Sequence, residues 1–253
     1  CATELLDNAI SKGWGDRLCI QAPGLRWTYA ELLAQANRIA NVLVQDMGLV
    51  PGNRVLLRAP NNPMLVACWF AVMKAGGIAV ATMPLLRAKE LKAIVEIGQV
   101  GHALCDAALS EDMRLTALEA PLLRHLRHFN YQGPDSLEAA MERASDDTCL
   151  LGFTSGTTGV PKATMHFHRD VMAICHCWPP HLLRPTADDV FIGSPPLAFT
   201  FGLGGLVLFP MSVGASTVLL EKASPPQLLD GIKEFHATVL FTAPTSYRTL
   251  AAR

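Results

Sequence analysis

Short apolar runs alternate with segments of helical period along most of this chain, and that alternation leaves few folds open. Residues 54–57, 78–82, 103–106, 149–154, 190–193, 216–219 and 239–242 read as strands. Between them, residues 64–75, 89–97, 202–213 and 225–235 read as helices, and residues 246–251 begin another. The first clear helix opens on Thr28 and Glu31, which have capping-box spacing. It carries apolar residues at helical intervals from Leu32 to Met47 and stops at Gly48. Asn62 is placed to cap the next helix, with Pro63 at its first position. Repeated strand–helix units with apolar strands predict an α/β fold of parallel-rich sheets covered by helices, with right-handed crossovers. Residues 106–147 are more polar and read as irregular, so the expected division is a front lobe of 1–147 and a second lobe of 148–253.

Composition narrows the function classes. Half of the 253 residues are apolar and 17% are charged, which suits a packed core and not a disordered chain. A net charge of −1 gives no field that would draw nucleic acid or an anionic membrane. The seven cysteines are odd in number and mostly embedded in apolar runs, as buried free thiols are. Cys175-His176-Cys177 has histidines nearby but no second matched pair, so no metal site is expected. The start, CATELLDNAI, has no signal-peptide pattern. It also lacks Met, so the chain reads as processed or as part of a longer protein. Residues 190–220 hold no charge, but three prolines and five glycines cut them into pieces too short to span a bilayer. A soluble, cytoplasmic protein is expected.

The chemistry concentrates after the fourth predicted strand, in Phe153-Thr154-Ser155-Gly156-Thr157-Thr158-Gly159-Val160-Pro161-Lys162. Glycines let successive backbone N–H groups converge on an anion, the hydroxyls add donors, and Lys162 adds a positive charge. The set suits a polyphosphate. The spacing is not that of the Walker loop, because Val160-Pro161 separates the second glycine from the lysine.

This string resembles the phosphate-loop signature of adenylate-forming enzymes, a family that includes acyl- and aryl-CoA ligases, luciferases and peptide-synthetase adenylation domains. Ala163 departs from the family's usual glycine. Other elements carry the resemblance along nearly the whole chain: Trp27-Thr28-Tyr29-Ala30-Glu31-Leu32, Gly52-Asn53-Arg54-Val55, Asn61-Asn62-Pro63, Lys74-Ala75-Gly76-Gly77 and His168-Arg169-Asp170. The resemblance implies that Thr154, Ser155, Gly156, Thr157, Thr158, Gly159 and Lys162 bind the nucleotide phosphates, with Thr157 and Lys162 acting in catalysis. It places His168 as a residue that shapes the site, with proton transfer as the alternative.

Pro195-Pro196-Leu197-Ala198-Phe199-Thr200-Phe201-Gly202-Leu203-Gly204-Gly205 resembles the family's second motif, with Phe199 at the usual histidine position. The phrase is most similar to benzoate and 2-aminobenzoate CoA ligases. It implies an aromatic acid pocket lined by Phe199, Phe201, Gly202, Leu203, Gly204, Pro244 and Thr245, with 2-aminobenzoate ahead of benzoate. The other reading of Phe199 and Phe201 is plain core. The implied reaction has two halves: the acid and Mg-ATP (ATP with Mg2+) give acyl-AMP and pyrophosphate, and coenzyme A then takes the acyl group as a thioester. The family's later adenine, ribose and hinge motifs are not found before Arg253. The expected identity is therefore a partial N-terminal adenylation domain, inactive alone and prone to self-association. A domain that loads a carrier protein, or a non-catalytic nucleotide- or aryl-acid-binding module, remain as alternatives.

Overall fold

The computed structural model describes residues 1–130, 137, 150–154 and 162–252, with main chain only for most of 150–154 and 162–165. They form two compact units, each with its own sheet: residues 1–33, 61–63 and 168 onward in the first, 34–60 and 64–167 in the second.

The first unit is built on a five-stranded sheet of order β11-β9-β10-β1-β2. β1 (Leu18–Ala22) and β2 (Leu25–Thr28) form a hairpin. Its turn is Pro23-Gly24, where Gly24 takes φ +75°. β1 then runs parallel to β10 (Ser216–Val218). β9 (Val190–Gly193) and β11 (Val239–Phe241) continue the parallel set. Ile192, Val218, Leu220, Leu228 and Phe235 pack as one core cluster, the last two supplied by or next to helix Pro225–Glu234. That helix starts at a Ser224/Gln227 capping box. The capping box expected at Thr28 also forms, with Thr28 N–H donating to Glu31 Oε2 at 2.7 Å and Glu31 N–H to Thr28 Oγ1 at 3.2 Å. It launches helix Tyr29–Asn41, and Tyr29, fully buried, donates its hydroxyl to the Ala215 carbonyl at 2.7 Å.

The second unit carries a six-stranded sheet of order β6-β5-β3-β4-β7-β8. β3 (Arg54–Arg58), β4 (Ile78–Thr82), β5 (Val100–Asp106), β6 (His125–Phe129) and β7 (Leu150–Thr154) are parallel. β8 (Lys162–Met165) returns antiparallel beside β7. Helix Pro63–Lys74 starts at the proline, as its sequence predicts. It is apolar on every side, and the residues from Leu65 to Ala75 are all buried, as such a helix requires. Helix Ala88–Gly98 packs Leu91, Ile94 and Val95 into a cluster with Leu56, Val80 and Val100.

The α/β class with parallel-rich sheets is what the alternating pattern predicts, but several elements differ from expectation. Residues 106–147 are not irregular throughout: helix Ser110–Glu119 and β6 lie within them. The helix buries only Met113 and Thr116, so it has almost no apolar period, and β6 is a polar edge strand paired on one side only. Residues 131–136 and 138–149 lie outside the described residues. The expected cut between lobes at 147/148 is not the division that packing makes. β7 and β8 extend the sheet that β3 begins, while β1 and β2 join the sheet of β9 to β11. The helix expected over 202–213 is three contiguous pieces, Thr200–Leu203, a wide i→i+5 turn at Gly204–Leu208, and Phe209–Val213.

Cys19, Cys68, Cys105 and Cys175 are buried and outside any disulfide, as expected, whereas Cys177 is exposed. Burial pushes the Cys105 thiol up to about 12 and that of Cys175 to about 11, which keeps both protonated and unreactive at neutral pH. Among the described residues, no helix is long and apolar enough to cross a membrane.

Candidate active site

Two stretches carry the predicted site residues, one in each unit. In the second unit, β7 ends at Thr154 and β8 begins at Lys162, and these two residues are register partners across the antiparallel pair. Ser155, Gly156, Thr157, Thr158 and Gly159 lie outside the described residues, and for Thr154 and Lys162 only the main chain is described. Ala163 pairs with Phe153 in the extended strand, a conformation open to any L-residue, so the missing glycine costs the backbone nothing there.

In the first unit the site elements gather at the carboxyl ends of parallel strands, the place where open α/β sheets bind ligands. β9 ends at Gly193 and feeds Ser194-Pro195-Pro196-Leu197, while β11 ends at Phe241 and feeds Thr242. Two proline rings cannot hold this turn by ladder hydrogen bonds, and Asn61 does it instead. Its Nδ2 donates to the Pro195 carbonyl and its Oδ1 accepts from Leu197 N–H, both at 2.9 Å. Ser194 N–H donates to the Phe241 carbonyl at 3.0 Å, and the Ser194 and Thr242 hydroxyls meet at 2.6 Å, which ties the two strand ends together.

Asn61 is 8% exposed, and the two backbone groups it serves belong to the buried residues Pro195 and Leu197. Asn61→Ala removes two hydrogen bonds at about 0.5–1.5 kcal/mol each, so a loss of roughly 1–2 kcal/mol in unfolding free energy is expected. Urea denaturation of the two proteins measures it. An unchanged midpoint would mean that the turn holds without the clamp.

Phe199 and Phe201 follow the clamped turn and are 41% and 52% exposed, so neither is core. Phe201 lies edge-on to Phe241 at 5.9 Å between ring centroids. Phe241 in turn contacts Phe191, Phe209 and Trp178 at 6.2, 6.1 and 6.3 Å. The result is an aromatic surface with one buried side and one open side. Gly205 permits it: a Cβ there would sit 2.7 Å from the Phe241 ring. Gly202 has a different reason, since its missing Cβ would fall 2.1 Å from the Pro196 carbonyl oxygen. The room the glycines leave at 202 and 205 is thus filled by the chain's own atoms and is not open space for a ligand. Leu203 and Gly204 are buried, while Pro244 and Thr245, the first residues of helix Pro244–Ala251, are exposed. His168, the first residue of helix His168–Cys177, has Nδ1 3.1 Å from the Cys1 sulfur.

Sequence reading did not single out Asn61, Trp178 or Phe209 for this region. The Asn61 signal is weak because one side chain serves a turn 134 residues further along. Cys175 and Cys177 point to different environments, one buried against the Leu208 carbonyl and one exposed.

With this geometry in place, comparison with known proteins becomes specific. The family profile described as AMP-binding enzyme matches residues 7–253. The benzoate–CoA ligase of Thauera aromatica is 26% identical over 262 residues, which covers 99% of this chain and 50% of that protein. The anthranilate–CoA ligase of Pseudomonas aeruginosa is 30% identical over 229 residues, 87% of this chain and 43% of that protein. Among solved structures, the anthranilate CoA ligase AuaEII in complex with anthranoyl-AMP superposes with a TM-score of 0.89 at 25% identity, covering 97% of this chain and 49% of that one. The chain spans about half the length of the curated relatives it matches.

Proposed function

We propose that this chain, which belongs to the AMP-binding enzyme family, is part of a ligase that activates an aromatic carboxylic acid. The acid carboxylate attacks the α-phosphate of Mg-ATP, forming acyl-AMP and releasing pyrophosphate. The thiol of coenzyme A then attacks the acyl carbon and AMP leaves. Both reactants of the first step are anions, so positioning and charge neutralisation supply most of the rate. In this reading Thr154, Ser155, Gly156, Thr157, Thr158, Gly159 and Lys162 hold the phosphates, Thr157 and Lys162 act on the charge that develops, and His168 shapes the site. Phe199 and Phe201 wall the acid pocket, with Gly202, Leu203, Gly204, Pro244 and Thr245 around it, and 2-aminobenzoate is the favoured substrate over benzoate.

The observation that carries the reading is the ten-residue string Phe153 to Lys162, in which Thr154 and Lys162 are register partners of β7 and β8. The aromatic preference is supported by the half-open aromatic surface of Phe201, Phe241 and Trp178, beside the exposed Phe199. It is supported also by the benzoate and anthranilate named for the relatives. The test is ATP–pyrophosphate exchange by the full-length protein with 2-aminobenzoate, benzoate, acetate or malonate. Exchange that depends on the aryl acids, followed by thioester formation on adding coenzyme A, is expected. Exchange with the aliphatic acids alone would overturn the aromatic assignment. Aryl-AMP that accumulates in the presence of coenzyme A would assign the acceptor to a protein-bound thiol instead.

A further inference from the structure

The second unit has a cleft of ≈ 270 Å³ at the amino ends of β3, β5 and β6. Asn53, Arg54, Gln99, His102, Arg124 and His125 are among the residues that line it, and none of its lining residues is a carboxylate. The topology creates this grouping. His102 and His125 are register partners on neighbouring parallel strands, so their side chains share one face and their rings stack at 4.7 Å with an interplanar angle of 15°.

Each cationic or imidazole group here is in an informative state. Arg54 is held in a fixed fork by three backbone carbonyls, those of Gly98, Gly52 and Gln99, at 2.9, 3.0 and 2.9 Å. Those carbonyls use three of its N–H groups and supply no full negative charge to neutralise it. The Arg124 guanidinium makes no hydrogen bond or ion pair among the described residues, although its backbone N–H is fixed by the Gly101 carbonyl at 3.0 Å. His102 is 5% exposed, and its Nε2 donates to the Met47 carbonyl at 2.9 Å. Its Nδ1 is buried without a hydrogen-bond partner, a state that costs free energy and calls for a cause. Burial first, and then the neighbouring His125, hold the His102 imidazole below its usual range. Two arginines around one small concavity, with no carboxylate among its lining residues, make a positive site.

We propose that this cleft is a binding site for a tetrahedral oxyanion, a phosphate group free or esterified, held between Arg54, Arg124 and His125. Arg124 supplies the mobile charge, Arg54 the fixed one, and the exposed imidazole of His125 a further N–H donor.

The test is titration of the full-length protein with inorganic phosphate, with glycerol phosphate and with chloride at matched ionic strength, following the imidazole resonances of His102 and His125 by NMR. A saturable shift of His125 with either phosphate and none with chloride is expected. Arg124→Ala, at an exposed position that leaves the fold intact, should weaken that binding about tenfold or more. The tighter of the two phosphates identifies free or esterified ligand. A shift that grows linearly and equally with chloride, or one that Arg124→Ala leaves unchanged, would overturn the assignment.

Discussion

Lys162→Ala in the full-length protein is expected to reduce acid-dependent pyrophosphate release by about 10²–10³-fold, the loss typical of removing one charge-stabilising group from a reacting centre. The reason is electrostatic. In the proposed reaction a carboxylate approaching a triphosphate meets like charge, and Lys162 is assigned there to offset it where charge builds up. Lys162 opens β8, whose main-chain pairing with Thr154 does not depend on the side chain, so the fold should persist. Circular dichroism and the melting temperature should match the parent protein while kcat falls and the KM for ATP rises. Lys162→Arg should recover part of the rate, because it keeps the charge but not the shape. A variant with near-parental turnover would remove Lys162 from the chemistry and leave the loop's backbone N–H groups to do the work.

Gly202→Ala is expected to destabilise the protein by about 2–3 kcal/mol net, a fall in melting temperature of roughly 4–12 °C. Helix propensity argues the other way, since Ala for Gly inside a helix gains about 1 kcal/mol. Contact decides the sign. The added Cβ would lie 2.1 Å from the Pro196 oxygen, 2.6 Å from its carbonyl carbon and 2.7 Å from the Pro195 oxygen. These are backbone atoms of the turn that Asn61 holds, so they cannot rotate away. Gly204→Ala is the matched control, because its Cβ would meet only the Phe209 ring at 3.4 Å and beyond. That variant should gain about 0.4–1 kcal/mol or stay neutral. Differential scanning calorimetry of both variants separates the two effects. Equal melting temperatures would mean that the Pro195-Pro196 turn can shift and that its geometry is not fixed.

Much of this protein was written in local sequence. The mostly apolar strands β4, β7, β9 and β11 follow from their composition, and β3 from the Val55-Leu56-Leu57 run between its terminal arginines, because a strand covered on both faces is apolar along most of its length. The helix start at Pro63 and the Thr28/Glu31 cap were equally legible, since each depends on residues within one turn of each other. Tertiary structure decided what depends on distant partners. β6 and helix Ser110–Glu119 have too little apolar periodicity to declare themselves and exist through pairing with β5 and packing onto its sheet. The division into two units follows strand pairing, which joins β1 to β10 across most of the chain. The role of Gly202 could not be read from its motif, because the atom that forbids a side chain there belongs to a turn set by Asn61. The stacked histidines of the basic cleft came together for the same reason: parallel register aligned two residues that sequence keeps apart.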